Sequence, residues 1–256
     1  MSDAARVREE MDGAVLILTI DYPARKNAIG PGVRQALETA IERAHETAAV
    51  RAIIVTGAGG TFCAGGDISN MEVGNALDGR ERMRRTHRLV RLMAKGAKPL
   101  VAAVEGWAAG AGMAVACACD TIVAAEDARF VAGFHKIGLM SDMGLPFFLP
   151  RRVGIGRARR ILFYHEVIGA PEGERIGLVD FVAPPGQALA MALEKARALA
   201  AEAAGPIELT KKIFAEGLDE ALADEQTFQG LLFTTADFRE GRAAFLEKRK
   251  PNFKGG

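Results

Sequence analysis

The chain has 256 residues, of which 49% are hydrophobic and 25% are charged, and its formal net charge is +1, as in many globular proteins. This near-neutral charge gives no general attraction for nucleic acid or an anionic membrane, so neither is expected as a partner. No apolar run approaches the roughly 20 residues of a transmembrane helix, and the N-terminus lacks the apolar core of a signal peptide. The three cysteines form neither a disulfide framework nor a zinc motif. We therefore expect a cytoplasmic protein without a metal site.

The first half of the chain alternates predicted strands with predicted helices. Apolar, β-branched runs predict buried strands at 14–21, 51–56, 100–104 and 121–125. Helical spacing is found at 33–47 and in the later part of 71–97. This alternation favours an α/β fold with parallel strand pairing.

The last third of the chain is predicted to be almost entirely helical. The helical segments are 156–164, 171–176, 188–203, 208–222, 226–235 and 239–248. From the pattern alone, this region can be a cover, an interface or a small second domain.

Glycine is enriched to 29 residues, and two clusters of small residues follow predicted strands. One cluster is Phe62-Cys-Ala-Gly-Gly-Asp67, and the other is Gly106-Trp-Ala-Ala-Gly-Ala-Gly112. Small residues allow a ligand to approach the backbone, and the N–H groups at a helix start lack intrahelical acceptors. The second cluster matches neither the dinucleotide motif nor the P-loop motif. Two interpretations remain: close packing of a helix on a strand, or an oxyanion hole with N–H donors near Gly66 and Ala111.

Two titratable side chains are candidates for acid–base chemistry. Asp142 is the only charged residue in the apolar loop 138–149, where desolvation would raise its pKa and suit it as a general base. An aspartate that caps a turn is the structural alternative. His87 lies in the basic segment 80–98, where a solvated helix face is the alternative to a functional role.

Five segments, in order along the chain, resemble the crotonase superfamily, also called the enoyl-CoA hydratase/isomerase family. They are 23–28, 50–68, 98–112, 119–130 and 237–253. The resemblance implies an α/β spiral of strand-strand-helix turns over 1–195, followed by a helical trimerisation region over 196–256. It further implies acyl-CoA thioester substrates and a homotrimer or a dimer of trimers. Coenzyme A would enter only as part of the substrate, with no separate cofactor.

The resemblance also implies roles for individual residues. Gly66 and Ala111 match the backbone donors that bind the thioester oxygen and stabilise an enolate. The residues that match those contacting coenzyme A are Lys26, Ala28, Ala64 and Ile68, together with Phe245 and Lys248 near the C-terminus, which often reach a neighbouring subunit.

The chain departs from the family's hydratases at the two positions where these enzymes carry a catalytic glutamate. Ala114 and Phe134 occupy those positions, and neither side chain can transfer a proton. The loop around Asp142 instead resembles a branch that includes the ring-epoxide isomerase of phenylacetyl-CoA breakdown, although Leu145-Pro146 departs from its glycine pattern. Isomerisation needs a single base beside the oxyanion hole, so the sequence favours an enoyl-CoA isomerase with Asp142 as proton shuttle.

Other functions stay open at this point. Hydratase activity is one, despite the missing glutamates. Another is hydrolytic or dehalogenase chemistry on an acyl-CoA, in which an aspartate nucleophile at Asp142 would work with water activated by His87. A non-enzymatic alternative is the binding of acyl-CoA or RNA without turnover.

Overall fold

The computed structural model describes residues 5–256, which form two β-sheets and ten α-helices. The strands are β1 (Arg6–Asp12), β2 (Val15–Asp21), β3 (Ala52–Gly57), β4 (Leu100–Val104), β5 (Trp107–Ala109), β6 (Thr121–Ala125), β7 (Arg129–Val131), β8 (Ile168–Gly169) and β9 (Phe181–Ala183). The helices are α1 (Pro31–Glu46), α2 (Ala76–Lys95), α3 (Ala111–Ala118), α4 (Leu145–Val153), α5 (Ile155–Tyr164), α6 (Ala170–Arg175), α7 (Ala188–Ala201), α8 (Ala204–Phe214), α9 (Leu218–Leu232) and α10 (Ala236–Leu246). The expected α/β class is therefore confirmed.

The larger sheet has six strands in the order β1-β2-β3-β4-β6-β9, and only the β1–β2 pair is antiparallel. Its central strands are buried on both faces. In β3, Ile53 and Val55 pack into the core on one side, while Ala52 and Ile54 pack against the layer that contains α7. Alternate residues point to opposite faces of a strand, which explains why these segments are continuous apolar runs.

The smaller sheet has the order β5-β7-β8 and joins the larger one through the small-residue loops. Sequence analysis missed its strands, as well as β1 and β9. Most of them contain only two or three residues, too few to produce an alternating pattern. The longer strand β1 is an exposed, charged edge strand, a common way of preventing unwanted pairing.

The C-terminal helices cover the segment that contains Asp142. The predicted helices over 208–222 and 226–235 were wrong in their bounds, because α8 ends at Phe214, Gly217 with φ of 80° precedes the next helix, and α9 then runs unbroken to Leu232. Helix α9 packs along α2, and α10 packs on the 3-10 turn Phe134–Ile137. The division between 195 and 196 and the trimeric assembly stay predictions, and α7 runs through that boundary. None of the helices in residues 5–256 combines the length and the apolarity needed to span a bilayer.

Asn27 fixes the loop between β2 and α1. Its side chain is fully buried, donates to Ala58 O at 2.8 Å and to Thr61 O at 2.6 Å, and accepts from Tyr22 N at 2.9 Å. Its φ of 59° lies in the left-handed region, which asparagine tolerates better than most residues.

We predict that Asn27→Ala lowers the free energy of unfolding by about 3 kcal/mol, because three partly buried backbone groups lose their partners. Chemical denaturation measures this change. The exposed Asn252, whose side chain has no recorded hydrogen bond within the described residues, provides a matched control. Asn252→Ala should change stability by no more than about 0.5 kcal/mol. Equal effects of the two substitutions would contradict the assignment.

Candidate active site

The two small-residue loops lie side by side, as the sequence predicted. Cys63 N donates to Trp107 O at 2.9 Å, and Ala109 N donates to Cys63 O at 2.9 Å. A Cβ atom on Gly112 would lie 2.4 Å from Cys63 O, so glycine is required for this close approach.

Two N–H groups at this junction have no recorded acceptor within residues 5–256. The backbone groups on either side of Gly66 N are hydrogen-bonded: Ile29 N donates to Gly65 O, and Asp67 N donates to Ile29 O. Gly66 N itself has no recorded acceptor among the described residues. Ala111 is the first residue of α3, so its N–H has no partner within the helix. The helix dipole adds partial positive charge at this end. These two groups have the properties expected of oxyanion donors.

The residues matched to coenzyme A binding come mainly from two paired segments. Ala64 N donates to Lys26 O at 2.9 Å, which places the segment with Lys26 and Ala28 next to the segment with Ala64 and Ile68. Phe245 and Lys248, at the end of α10, are both exposed. Helix α10 also contacts the segment with Ala64 and Ile68, because Arg242 donates to Ile68 O at 3.2 Å.

Apolar side chains occupy both positions that carry a glutamate in the family's hydratases. Ala114 is fully buried in α3, and Phe134 is buried at the start of its 3-10 turn. The Phe134 ring lies 4.0 Å from the position that a Cβ of Gly110 would take. It therefore forms an apolar wall beside the loop that precedes Ala111.

Asp142 is half-buried in the loop before α4 and accepts a hydrogen bond from Gln229 Nε2 at 2.9 Å on Oδ2. Burial, with a second contribution from the negative charge of Glu225, raises the pKa of Asp142 to about 7. The Gln229 hydrogen bond and the positive charge of Arg82 act in the opposite direction. A carboxyl group with this pKa can both accept and return a proton near neutral pH.

Arg82, on α2, interacts electrostatically with Asp142 and with Asp67, the residue after Gly66. Its guanidinium donates to Asn70 O at 2.8 Å. Burial lowers the pKa of Arg82, and the carboxylates of Asp142 and Asp67 oppose that shift. One side chain of α2 is thus within electrostatic reach of both Asp142 and the residue that follows Gly66.

His87 is fully buried and bonds through Nε2 to Glu225 Oε1 at 2.6 Å. Within the described residues, no hydrogen bond is recorded between His87 and Asp142. The role considered for His87 from the sequence, activation of water beside Asp142, stays a prediction, and the structure gives Nε2 of its ring a hydrogen-bond partner in Glu225.

Sequence reasoning missed Glu225 and Gln229 on α9. Glu225 also accepts from Met143 N at 2.7 Å and from Gly144 N at 2.9 Å. A signal was available, because buried residues follow one face of α9 at helical spacing: Leu218, Leu222, Glu225 and Gln229. Two polar residues at core positions of an apolar face need buried partners, and the loop around Asp142 supplies them.

A cavity of about 870 Å³ is lined mainly by residues of α3, α4 and α8, such as Cys117, Arg151 and Phe214. Its lining includes none of the candidate catalytic residues. The assignment of the site therefore depends on hydrogen-bonding geometry and charge rather than on cavity size.

Comparison with known proteins agrees with this fold and geometry. The chain matches the enoyl-CoA hydratase/isomerase family over residues 10–256. A probable enoyl-CoA hydratase of Rhodobacter capsulatus is 37% identical over 254 residues, covering 97% of this chain and 98% of that protein. The 1,2-epoxyphenylacetyl-CoA isomerase of Escherichia coli is 34% identical over 257 residues, with coverage of 97% and 98%.

Solved structures give the same result. An enoyl-CoA hydratase from Mycobacterium avium subsp. paratuberculosis superposes with a TM-score of 0.87 at 32% identity, covering 97% of this chain and 98% of that one. Sequence and structure thus agree over nearly the whole length. The chain belongs to the enoyl-CoA hydratase/isomerase family.

Proposed function

We propose that this protein isomerises an enoyl-CoA thioester, moving a double bond or opening a strained ring, with Asp142 as the single proton shuttle. The observation that carries the proposal is the distribution of carboxyl groups. Ala114 and Phe134 occupy the hydratase glutamate positions, whereas Asp142 is a half-buried carboxyl group whose pKa is raised to about 7.

In the proposed reaction, the thioester oxygen accepts hydrogen bonds from Gly66 N and Ala111 N. Asp142 takes a proton from C2 of a 3-enoyl-CoA, and the electron pair of the broken C–H bond passes into an enolate stabilised by the two donors. The protonated Asp142 then returns the proton to C4, which gives the conjugated 2-enoyl-CoA. No atom is gained or lost, so neither water nor a second base is needed.

The names of the relatives support two activities. Several are called enoyl-CoA hydratases, including those of Rhodobacter capsulatus and Clostridium acetobutylicum, and one is an epoxide isomerase. We favour isomerisation over hydration because adding water requires a group that activates the water as well as a proton donor. We do not propose hydrolytic chemistry with His87, because its ring is fully buried and its second nitrogen, Nδ1, has no hydrogen-bond partner within the described residues.

We predict that Asp142→Asn abolishes the conversion of a 3-enoyl-CoA to its conjugated isomer, followed by the absorbance of the conjugated thioester. The residual rate should fall at least about 1,000-fold, since the only proposed base is removed. In the unsubstituted protein, kcat/KM should rise with pH through about 7, because Asp142 acts as a base only when ionised.

The exposed Asp127, which has no recorded side-chain hydrogen bond within residues 5–256, provides the matched control. Asp127→Asn should retain full activity. If Asp142→Asn were as active as the control, Asp142 would not be the base.

A second prediction separates isomerase from hydratase. With a 2-enoyl-CoA, the protein should add water at less than about 1% of its rate of isomerising the 3-enoyl-CoA. The loss of conjugated absorbance measures hydration directly. Fast hydration that survives in Asp142→Asn would establish a hydratase that uses other groups and would overturn the proposal.

A third prediction concerns the oxyanion donors. Gly110 has φ of 50° and ψ of −118°, a conformation that only glycine adopts readily, and it precedes the donor Ala111. Gly110→Ala should therefore turn Ala111 N away from the thioester and lower kcat about 100-fold.

Gly156→Ala is the control for that experiment, because its added methyl group meets nothing within 4 Å and Gly156 lies in α5. It should leave kcat unchanged. Wild-type kcat in Gly110→Ala would exclude Ala111 N as a donor.

A further inference from the structure

A buried carboxylate from α9 lies directly behind the loop that carries Asp142. Glu225 Oε1 accepts from Met143 N at 2.7 Å and is 2.6 Å from His87 Nε2, and Oε2 accepts from Gly144 N at 2.9 Å. Only 3% of Glu225 is exposed. Both backbone partners are donors, so Glu225 serves the turn as an acceptor.

The turn that Glu225 binds has an unfavourable backbone conformation. Met143 has φ of 55° and Gly144 has φ of 75°, both in the left-handed region. For Met143, which has a side chain, such a conformation persists only when the surroundings enforce it. A Cβ on Gly144 would lie 2.8 Å from the Phe148 ring and 3.1 Å from the Val90 side chain, so a larger residue there would have to displace both. Two successive N–H groups of this kind form a concave anion site, which the Glu225 carboxylate fills.

The same helix holds Asp142 from a second point. Gln229 lies one helical turn beyond Glu225, and its Nε2 donates to Asp142 Oδ2 at 2.9 Å and to Met140 O at 3.1 Å. Met140 N donates back to Gln229 Oε1 at 3.2 Å. Asp142 thus lies between two anchored points, Met140 and the Met143–Gly144 turn, and both anchors come from α9.

The ring of His87 serves Glu225 as a hydrogen-bond donor. His87 Nδ1 is buried and has no hydrogen-bond partner within the described residues. An unpartnered lone pair is tolerated there better than an unpartnered N–H group. This arrangement favours a hydrogen atom on Nε2, which donates to Glu225 Oε1.

We propose that Glu225 is a positioning residue for Asp142: it fixes the Met143–Gly144 turn and thereby the direction of the Asp142 carboxyl group. The negative charge of Glu225 supports this role, because it contributes to the raised pKa of Asp142. Two carboxyl groups thus take two roles, one bound by N–H donors and one available to substrate. The inference rests on the proposed function only for the identity of Asp142 as the base.

The polar and charged groups that face Asp142 determine the direction in which each substitution should shift its pKa. From α9 these are Glu225, whose charge raises the pKa of Asp142, and Gln229, whose hydrogen bond lowers it. From α2 these are Arg82, whose charge lowers that pKa, and His87 behind Glu225. Loss of the Glu225 charge should therefore lower the pKa of Asp142, and loss of the Arg82 charge should raise it.

The test is a titration of the Asp142 carboxyl carbon by NMR in protein labelled at the aspartate side-chain carboxyl carbon, with Asp142→Asn to assign the signal. Glu225→Gln should lower the pKa of Asp142 by about one unit, and Arg82→Gln should raise it. Asp224→Asn, the same loss of charge at an exposed neighbouring position on α9, should leave it unchanged. Thermal denaturation verifies that each variant is folded.

Glu225→Asp is the second variant and tests position rather than charge. Its shorter side chain keeps the charge but cannot reach both His87 and the turn, so the pKa of Asp142 should stay closer to its wild-type value than in Glu225→Gln. With a 3-enoyl-CoA, kcat should fall about tenfold while KM stays within about twofold, because Glu225 does not touch the substrate.

An unshifted pKa of Asp142 in folded Glu225→Gln would overturn the electrostatic role. If Glu225→Gln does not fold, wild-type kcat in folded Glu225→Asp would overturn the positioning role. The titration requires no turnover. Absence of isomerase activity would therefore refute the proposed function without affecting the measured influence of Glu225 on Asp142.

Discussion

The site depends on the close contact of two backbone segments that only small residues allow. The carbonyl of Cys63 accepts from Ala109 N and lies against Gly112, where any side chain would collide with it. The same contact brings Gly65 next to Gly110, the residue before α3, so the two proposed donors, the N–H groups of Gly66 and Ala111, both belong to the backbone of this junction. Donors fixed in this way need no rearrangement when charge develops on a bound oxygen, which is the main advantage of a preorganised oxyanion hole.

Around this fixed pair of donors, side chains decide which reaction is possible. The Phe134 side chain cannot transfer a proton, and the proposed proton-transfer group is the carboxyl group of Asp142, on another loop. The half-buried position of Asp142 and the nearby charge of Glu225 raise its pKa to about 7, where a carboxyl group can act as base and acid in turn. Hydrogen bonds from the turn N–H groups and from His87 give Glu225 a different role from that of Asp142.

The features that short sequence patterns encode were predicted well. Central strands such as β3 and β4 are continuous apolar runs because both faces are buried, and the two clusters of small residues were recognised from their composition and their position after predicted strands. The short strands β5, β7 and β8 gave no pattern. The Glu225–His87 contact joins residues 138 positions apart. Helical spacing marks Glu225 as a buried residue of α9, but only the packing of α9 along α2 reveals its partner.

In the proposed reaction, the N–H groups of Gly66 and Ala111 bind the thioester oxygen of the same substrate molecule from whose C2 Asp142 takes a proton. A crystal structure with acetoacetyl-CoA, an enolisable thioester that cannot be isomerised, tests this most directly. We expect the thioester oxygen to lie about 3 Å from Gly66 N and from Ala111 N, and an Asp142 carboxyl oxygen to lie within about 3.5 Å of C2. A thioester oxygen bound elsewhere, or an Asp142 carboxyl group turned away from C2, would contradict it.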